Sequence, residues 1–362
     1  MAELRALPIL AIGVYLYAAA SAYFAAQAMR SNLPDRLSAL IATGVVAALA
    51  LTLWFYGGAI FTPILAWGLV IVFAAGIVIT LTYTLGRYQA RIHVWRERFG
   101  SRLNSMLLEI LAEDRYAELL RLREKFQLQS EGRRKMPHLL MGIYVGLYLG
   151  GGWLIVKLLN PLAPIIFQPI LDRGVLGAST IAATWGMMSL FLLLAPTELL
   201  RLRFPELSYP FKTVILSRLR TREIGTFGAH YYIAASAPLA AIWLTRNPDN
   251  WQTAVPAVAA LLAVTVFADA ASALVGVRWG RTKWFHNDGK SYLGSAGGAL
   301  VALAVGLPLV GPVMAVIAAA VFVVVDAIAP VPLFVSDNLL NPIALAVTFG
   351  IGATLVEPWL PL

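Results

Sequence analysis

The chain has 362 residues, of which 59% are hydrophobic and only 13% are charged. Soluble domains carry about 25% charged residues, so this composition excludes an ordinary soluble globular protein and indicates a polytopic membrane protein. The formal net charge is +9 at pH 7. Because the basic residues lie in short loops between apolar segments, they are typical of loops that face anionic lipid, and we expect no nucleic-acid partner. The chain has no cysteine, which excludes disulfides and thiolate metal sites.

Apolar segments long enough to cross a bilayer, which takes about 20 residues, recur along the chain. They predict an all-α fold, a polytopic transmembrane helical bundle of about ten spans. The first, at 7–29, is too long for the hydrophobic region of a signal peptide. Glycine and proline at 306–312 interrupt the region 292–331. The predicted spans are 7–29, 37–56, 61–86, 138–159, 177–199, 229–245, 252–277, 292–308, 312–331 and 340–360.

The charged loops predict how the chain is oriented. Basic residues concentrate in loops 87–136, 201–222 and 278–290, each separated from the next by two predicted spans, whereas the opposite loops are nearly uncharged. All three loops therefore lie on one side, which the positive-inside rule identifies as the cytoplasm. The loop at Ser336 to Asn338 falls on the same side. We expect a multi-pass protein of the cell membrane with its site on the cytoplasmic face.

Three regions follow from this pattern. Residues 1–86 form a three-span unit of unknown role, in which we expect no buried acid. Residues 87–136 form a cytoplasmic amphipathic helical linker, because apolar residues recur in it at helical spacing. Residues 137–362 form the membrane domain that carries the chemistry. The periodic apolar residues of the linker include Leu103, Met106, Leu107, Ile110 and Leu111.

Acidic residues within apolar runs are the first candidates for a functional site. Asp269 lies in VTVFADAASALVG and Asp326 in AAAVFVVVDAIAP. A charged side chain near the bilayer centre costs about 2.5–3.5 kcal/mol on insertion scales, and such residues usually have a function. Glu198 lies at a span end, with Arg201 one helical turn away. For Glu198 a structural ion pair is an equally strong interpretation.

A glycine-rich basic segment follows Asp269. Gly276 and Gly280 recur at helical spacing and permit close approach of a helix or a ligand. Lys283 adds positive charge, and Gly289-Lys290-Ser291 opens the next span. Backbone N–H groups, a helix dipole and a lysine together favour an anion. The spacing is not that of a P-loop, and the alternative is a positive-inside loop with a serine N-cap.

Asp337 and Asn338 return polar groups to the same predicted face. Carboxylate and amide oxygens near phosphates are typical Mg²⁺ ligands. The alternative for this pair is a simple helix cap.

In order along the chain, four segments together resemble the membrane-embedded CTP-dependent lipid-alcohol kinases. That family includes dolichol, phytol and farnesol kinases and CTP-dependent diacylglycerol kinase, and it is related to phosphatidate cytidylyltransferase. The resemblance covers roughly 130–360. Ala268 stands where the family usually has glycine, and Asp326 where it has glutamate. The segments are Arg134-Lys135-Met136-Pro137-His138; Glu198-Leu-Leu-Arg201 with Arg222-Glu223; Asp269, Gly276, Gly280 and Lys283 with Lys290-Ser291-Tyr292-Leu293-Gly294-Ser295; and Asp326 with Asp337-Asn338 and Pro342.

The resemblance implies transfer of the γ-phosphoryl group of CTP to the hydroxyl of an isoprenoid alcohol or related lipid, with Mg²⁺ or another divalent cation as cofactor. It implies catalytic roles for Asp269, Lys290 and Asp326, and metal ligation by Asp269, Asp337 and Asn338. The alternatives are a cytidylyltransferase that forms a CDP-lipid, and a transporter or scaffold. Residues implied to bind the nucleotide phosphates are Gly276, Gly280, Lys283, Gly289, Lys290, Ser291, Gly294, Ser295, Arg134, Lys135 and His138, and weaker candidates are Glu198, Arg201 and Glu223.

Overall fold

The computed structural model describes residues 6–33, 35–99, 141–203, 225–329, 331 and 335–356, and for residues 83 and 86–99 it describes the backbone alone. Nearly all of these residues lie in helices, and the described strands form one two-stranded hairpin. Within the described residues, seven helices are long and apolar enough to cross a membrane. Helices satisfy their own backbone hydrogen bonds, as a lipid environment requires. The prediction of an all-α membrane bundle is confirmed.

The N-terminal region forms three long helices, α1 (Ala6–Arg30), α2 (Arg36–Ile60) and α3 (Pro63–Phe99). Helix α1 packs along α2, where a Cβ added at Gly57 of α2 would lie 2.9 Å from the Leu7 side chain of α1, and Gly13 of α1 lies against the Phe73 ring of α3. Helix α3 continues 13 residues beyond the predicted span 61–86, because no glycine or proline occurs between Gly86 and Gly100. The remainder of the predicted linker, 100–136, lies outside the described residues.

The middle of the chain forms α4 (Ile143–Leu162), α5 (Pro164–Leu171), α6 (Gly174–Arg203) and α7 (Ala229–Thr245). Helix α4 contains a π-helical turn in which Gly150 has φ 121°, a conformation that favours glycine. Helix α6 contacts α3, α4 and α7, so it lies between the N-terminal helices and the rest of the bundle.

The C-terminal region consists of α8 (Pro248–Trp279), strands β1 (Lys283–Trp284) and β2 (Asn287–Ser291), α9 (Tyr292–Ile328) and α10 (Asp337–Ile351). The strands pair antiparallel, with Lys283 opposite Ser291. Helix α8 changes to π-helical geometry over Val264–Ala268, directly before Asp269. Each of the ten predicted spans thus has a helix or half-helix, although α7 and α10 have only 17 and 15 residues.

Helix α9 is a helical hairpin rather than one straight rod. Gly311 has φ 76° and breaks the helix between Pro308 and Pro312. A Cβ added at Gly298 would lie 2.3 Å from the Phe322 ring, so the halves before and after Gly311 run antiparallel in close contact. The two predicted spans in this region are confirmed as separate helices, because glycine and proline together end one and begin the other.

The N-terminal helices belong to the same packed core as α6, α7 and the start of α10. The Ser21 and Tyr231 hydroxyls lie 2.7 Å apart, and the Ser336 N–H donates to Ser38 Oγ at 2.9 Å. Asp35, at the N-terminus of α2, is only 4% exposed. The expectation of no buried acid in residues 1–86 is therefore wrong: packing of α2 against the C-terminal region covers its first turn.

Candidate functional site

Three aspartates from distant parts of the sequence meet inside the C-terminal region. Asp269 lies in the turn of α8 after the π-helical segment, Asp326 near the end of α9, and Asp337 in the first turn of α10. One carboxylate oxygen from each lies within 4.8 Å of the others, and each residue is at most 2% exposed. We call this group the triacid cluster. It brings together three of the acids singled out from the sequence.

Lys290 supplies positive charge to the triacid cluster. Its Nζ donates to Asp326 Oδ1 at 2.5 Å and to Asp337 Oδ2 at 2.9 Å. The lysine side chain is 13% exposed, whereas the two carboxylates it contacts are 1% exposed. Lys290 therefore lies at the edge of the cluster.

Two serines fix the orientation of Asp326. Ser272 Oγ donates to Asp326 Oδ2 at 2.9 Å and Ser295 Oγ donates to the same oxygen at 2.6 Å. Trp284 Nε1 in turn donates to Ser295 Oγ at 3.0 Å. The sequence suggested Ser295 as a phosphate ligand and did not identify Ser272, although Ser272 follows Asp269 by three residues and shares its helix face.

Asn338 lies beside Asp337 and is 2% exposed. Its backbone N–H and its Nδ2 both donate to Asp337 Oδ1, at 3.0 and 3.1 Å. Asp337 thus interacts with Lys290 through one oxygen and with Asn338 through the other. Asp337 and Asn338 therefore lie at the triacid cluster. They also occupy the first turn of α10, the position expected if they only capped the helix.

The β-hairpin places Lys290 against the end of α9. Asn287, 2% exposed, donates through Nδ2 to the carbonyl oxygens of Ala327 and Ala329, each at 3.1 Å. His286 Nε2 lies 3.0 Å from the Ala327 oxygen. These contacts satisfy carbonyls that a helix C-terminus leaves free. No local sequence pattern indicates a role for Asn287, because its partners are backbone atoms about 40 residues away.

The glycines of the central segment allow α8 and α9 to pack closely. A Cβ at Gly280 would lie 2.1 Å from Ser291 Oγ, and one at Gly294 would lie 2.8 Å from the Ser272 carbonyl oxygen. Gly276 approaches Ser291 and Gly294 in the same way. Ser291 caps α9 by accepting from the Gly294 N–H at 3.1 Å, as the N-cap alternative predicted.

The other predicted phosphate ligands are placed differently. Gly289 donates its N–H to Asn287 Oδ1 at 3.2 Å, within the turn that leads to Lys290. Lys283 is exposed on β1, close in sequence to Arg278 and Arg281, which are also exposed. These three cations form a basic surface beside the hairpin. Arg134, Lys135, His138 and Glu223 lie outside the described residues.

Glu198 and Arg201 form a separate buried cluster. Glu198 accepts from Arg201 at 2.7 and 2.9 Å, and from the Gly228 N–H at 2.6 Å. His230 Nε2 lies 3.1 Å from Glu198 Oε2, and Arg201 also donates to the Thr226 carbonyl oxygen at 2.5 Å. Glu198 thus forms the ion pair with Arg201 that was one interpretation of this residue, and it lies apart from the triacid cluster. These contacts join the end of α6 to the start of α7.

The donor chemistry of the triacid cluster fits a divalent cation. Carboxylate oxygens are the ligands that Mg²⁺ prefers, and it commonly shares them with substrate phosphates. Asp269, Asp326 and Asp337 could each offer one oxygen, with the amide of Asn338 beside them.

No protein-family model, curated protein or solved structure matches this chain. Comparison therefore assigns neither a family nor an activity. The described residues show a membrane-embedded helical protein with a buried acidic cluster at one end of α8, α9 and α10.

Proposed function

We propose that this protein is a membrane-embedded phosphotransferase that moves the γ-phosphoryl group of CTP to the hydroxyl of an isoprenoid alcohol or related lipid. The observation that carries the proposal is the convergence of Asp269, Lys290, Asp326, Asp337 and Asn338. These residues come from the two most specific segments of the resemblance. Helix packing has brought them into one cluster, as a shared site requires.

The burial of the cluster also supports a functional role. Each buried charge in a membrane helix costs about 2.5–3.5 kcal/mol on insertion scales, and such residues usually have a function. Three carboxylates from three helices are buried together here, with Lys290 in contact with two of them. Carboxylates gathered this closely favour a site that receives a cation with its ligand.

Phosphoryl transfer depends mainly on positioning and on stabilising charge. A bound divalent cation would supply charge neutralisation for the phosphate oxygens, and Asp269, Asp337 and Asn338 would hold it. Lys290, at the exposed edge of the cluster, would bind the triphosphate, and Asp326 would position Lys290. Asp269 would also orient the lipid hydroxyl. The γ-phosphorus bonds to the lipid oxygen as its bond to the CDP oxygen breaks, and a carboxylate accepts the hydroxyl proton.

The surroundings of the cluster suit a water-soluble donor and a lipid acceptor. Arg278, Arg281 and Lys283 are exposed beside the hairpin, where an anionic nucleotide would approach. Helices α8 and α9 extend from there into apolar sequence that would hold the lipid tail. We propose that this basic end faces the cytoplasm at the cell membrane, following the positive-inside rule.

The test incubates the purified protein with CTP or ATP, Mg²⁺ and a panel of phytol, farnesol, geranylgeraniol, polyprenol and diacylglycerol, and identifies products by mass. A phosphorylated lipid with CDP supports the kinase. Formation of pyrophosphate and a CDP-lipid would identify a cytidylyltransferase instead. If no product forms with either CTP or ATP, the result favours a transporter or scaffold.

Asp269→Asn is the decisive variant. It should abolish transfer from labelled CTP while the protein still inserts into the membrane, because the amide can neither ligate a cation strongly nor accept the hydroxyl proton. The matched control is Asp172→Asn, since Asp172 is exposed and its carboxylate accepts from Gln168 Nε2 at 2.9 Å, outside the triacid cluster. Unchanged activity in Asp269→Asn would contradict the proposed role of this residue.

A further inference from the structure

Two buried polar atoms next to the triacid cluster have no hydrogen-bond partner among the described residues. They are Thr265 Oγ1 and Asn341 Oδ1. Each residue is 2% exposed, so water outside the protein does not reach them freely. Native proteins leave few buried polar groups unsatisfied, because each costs roughly 1–3 kcal/mol. Thr265 and Asn341 differ from the other unsatisfied buried atoms of the described residues because each lies one helical turn from an aspartate of the triacid cluster, where a bound polar group would satisfy both.

The two residues occupy equivalent places relative to the cluster. Thr265 precedes Asp269 by four residues on α8, and Asn341 follows Asp337 by four on α10. Residues four apart share a helix face, so both side chains lie on the faces that carry the aspartates. The π-helical segment that contains Thr265 is in contact with α10. Both positions are therefore part of the same region between the two helices.

That region lies deeper in the bundle than the triacid cluster. Helix α8 runs toward the hairpin and α10 runs away from it, so both residues are displaced from the aspartates in the same direction, by one turn or about 6 Å. Lys290 and Ser291 lie on the opposite side of the cluster, toward the basic surface. Polar groups thus extend from Lys290 through the aspartates to Thr265 and Asn341.

The local helix geometry is a separate indication of function. Val264–Ala268 is π-helical, and single π-helical turns inside α-helices are frequent at functional sites because they redirect the side chains they contain. Here the turn contains Thr265 and directly precedes Asp269. It also leaves the threonine hydroxyl without the bond to the carbonyl four residues earlier that Thr245 and Thr348 make.

We infer that Thr265 and Asn341 form a subsite that binds the acceptor hydroxyl group, an inference that rests on the proposed function. A hydroxyl is at once donor and acceptor, so it would donate to Asn341 Oδ1 and accept from Thr265 Oγ1. A lipid alcohol enters from the apolar side, whereas the nucleotide enters from the basic side. The subsite holds the alcohol oxygen on the membrane side of the aspartates, opposite Lys290.

The test measures binding without nucleotide, so it does not depend on transfer. Farnesol and farnesyl methyl ether are titrated against the full-length protein in detergent, because the ether keeps the chain and loses the donor. We expect the protein to bind farnesol about 10-fold more tightly than the ether, the value of one or two hydrogen bonds. Thr265→Val/Asn341→Leu should lose this preference, and Thr265→Ser with native Asn341 should retain it.

Thr348→Val is the matched control, since Thr348 donates to the Ala344 carbonyl of its own helix and lies far along α10 from the cluster. It should keep the farnesol preference. Persistence of the preference in the double variant would overturn the subsite. Equal binding of farnesol and ether by the unmodified protein would do the same and would assign the two atoms to a buried water.

Kinetics separate this inference from the proposed function. If CTP-dependent transfer occurs, Thr265→Val should raise KM for farnesol about 10-fold and leave KM for CTP unchanged. Unchanged KM for both substrates would overturn the subsite while the kinase stands. If no transfer occurs with any nucleotide but the farnesol preference is found and is lost in the double variant, the kinase is refuted and the hydroxyl subsite stands.

Discussion

Substitution of Lys290 by methionine tests the charge balance of the triacid cluster most directly. Methionine keeps the length of the side chain and removes the charge that contacts Asp326 and Asp337. The variant leaves three carboxylates within 4.8 Å of one another without the lysine between them. The prediction concerns stability and its dependence on divalent cations, so it requires no substrate.

The magnitude follows from the distances. At an effective dielectric constant of about 20, two unit charges at the 4.8 Å limit repel by about 3.5 kcal/mol, or about 10 kcal/mol for three pairs. The two Nζ contacts at 2.5 and 2.9 Å attract by about 6 kcal/mol each. The attraction by Lys290 and the repulsion among the three carboxylates are therefore similar in size, and the variant loses this attraction.

The Lys290→Met variant will relieve part of this repulsion by binding a proton or a cation. Measured losses from breaking buried ion pairs are about 3–5 kcal/mol, and we expect Lys290→Met to lower the free energy of unfolding by that amount in EDTA. Mg²⁺ or Ca²⁺ should restore most of the loss. The same ions should stabilise the unmodified protein less, because there Lys290 competes for the carboxylates.

The assay is equilibrium unfolding in mixed detergent–SDS micelles, followed by tryptophan fluorescence, with EDTA and with increasing divalent cation. Lys157→Met is the control, because Lys157 is exposed and its Nζ lies over the Trp153 ring, 4.6 Å from the ring centroid. We expect the control to change stability by less than about 1 kcal/mol. If Lys290→Met is as stable as the unmodified protein in EDTA and does not respond to cations, the reasoning is refuted.

Three further substitutions test packing and ion pairing at and away from the triacid cluster. Gly280→Ala should destabilise the protein by about 1–3 kcal/mol, because its Cβ would lie 2.1 Å from Ser291 Oγ, whereas Gly44→Ala, inside α2 with nothing within 4 Å, should stabilise it by up to about 1 kcal/mol; equal thermal midpoints of the two variants would contradict this. Glu198→Gln should lower the free energy of unfolding by about 3–5 kcal/mol, since it leaves Arg201 buried without its carboxylate, yet cation binding measured by calorimetry should not change. Asn287→Ala should speed hydrogen exchange in the hairpin by releasing two carbonyls of α9, and unaltered exchange would show that Asn287 does not hold the hairpin.

Much of the local structure could be predicted because it depends on neighbours in the sequence. Runs of about 20 apolar residues can only be helices in lipid, so the spans followed from composition. The break at Gly311-Pro312 and the N-cap at Ser291 followed from backbone chemistry, since glycine tolerates positive φ and serine accepts from the first turn. Asp269 and Asp326 were notable because a charge is costly in an apolar run.

The contacts among these elements could not be predicted in the same way. Ser272, Asn287 and the burial of Asp35 depend on partners far away in the chain, which no local pattern encodes. Likewise, nothing near Gly276 and Gly280 distinguishes a glycine that meets a ligand from one that meets a helix. The structure places Ser291 and Gly294 against them.

The sequence by itself therefore determined the helices, their approximate ends and the identity of the acidic residues, because burial in lipid and helix capping act within a few residues. Only the tertiary structure decided that Asp269, Asp326 and Asp337 meet while Glu198 pairs with Arg201 elsewhere. The same is true of Thr265 and Asn341, whose unsatisfied oxygens become visible only when all their neighbours are in place. Electrostatic and hydrogen-bond partners are set by packing between helices, and packing is a property of the whole chain.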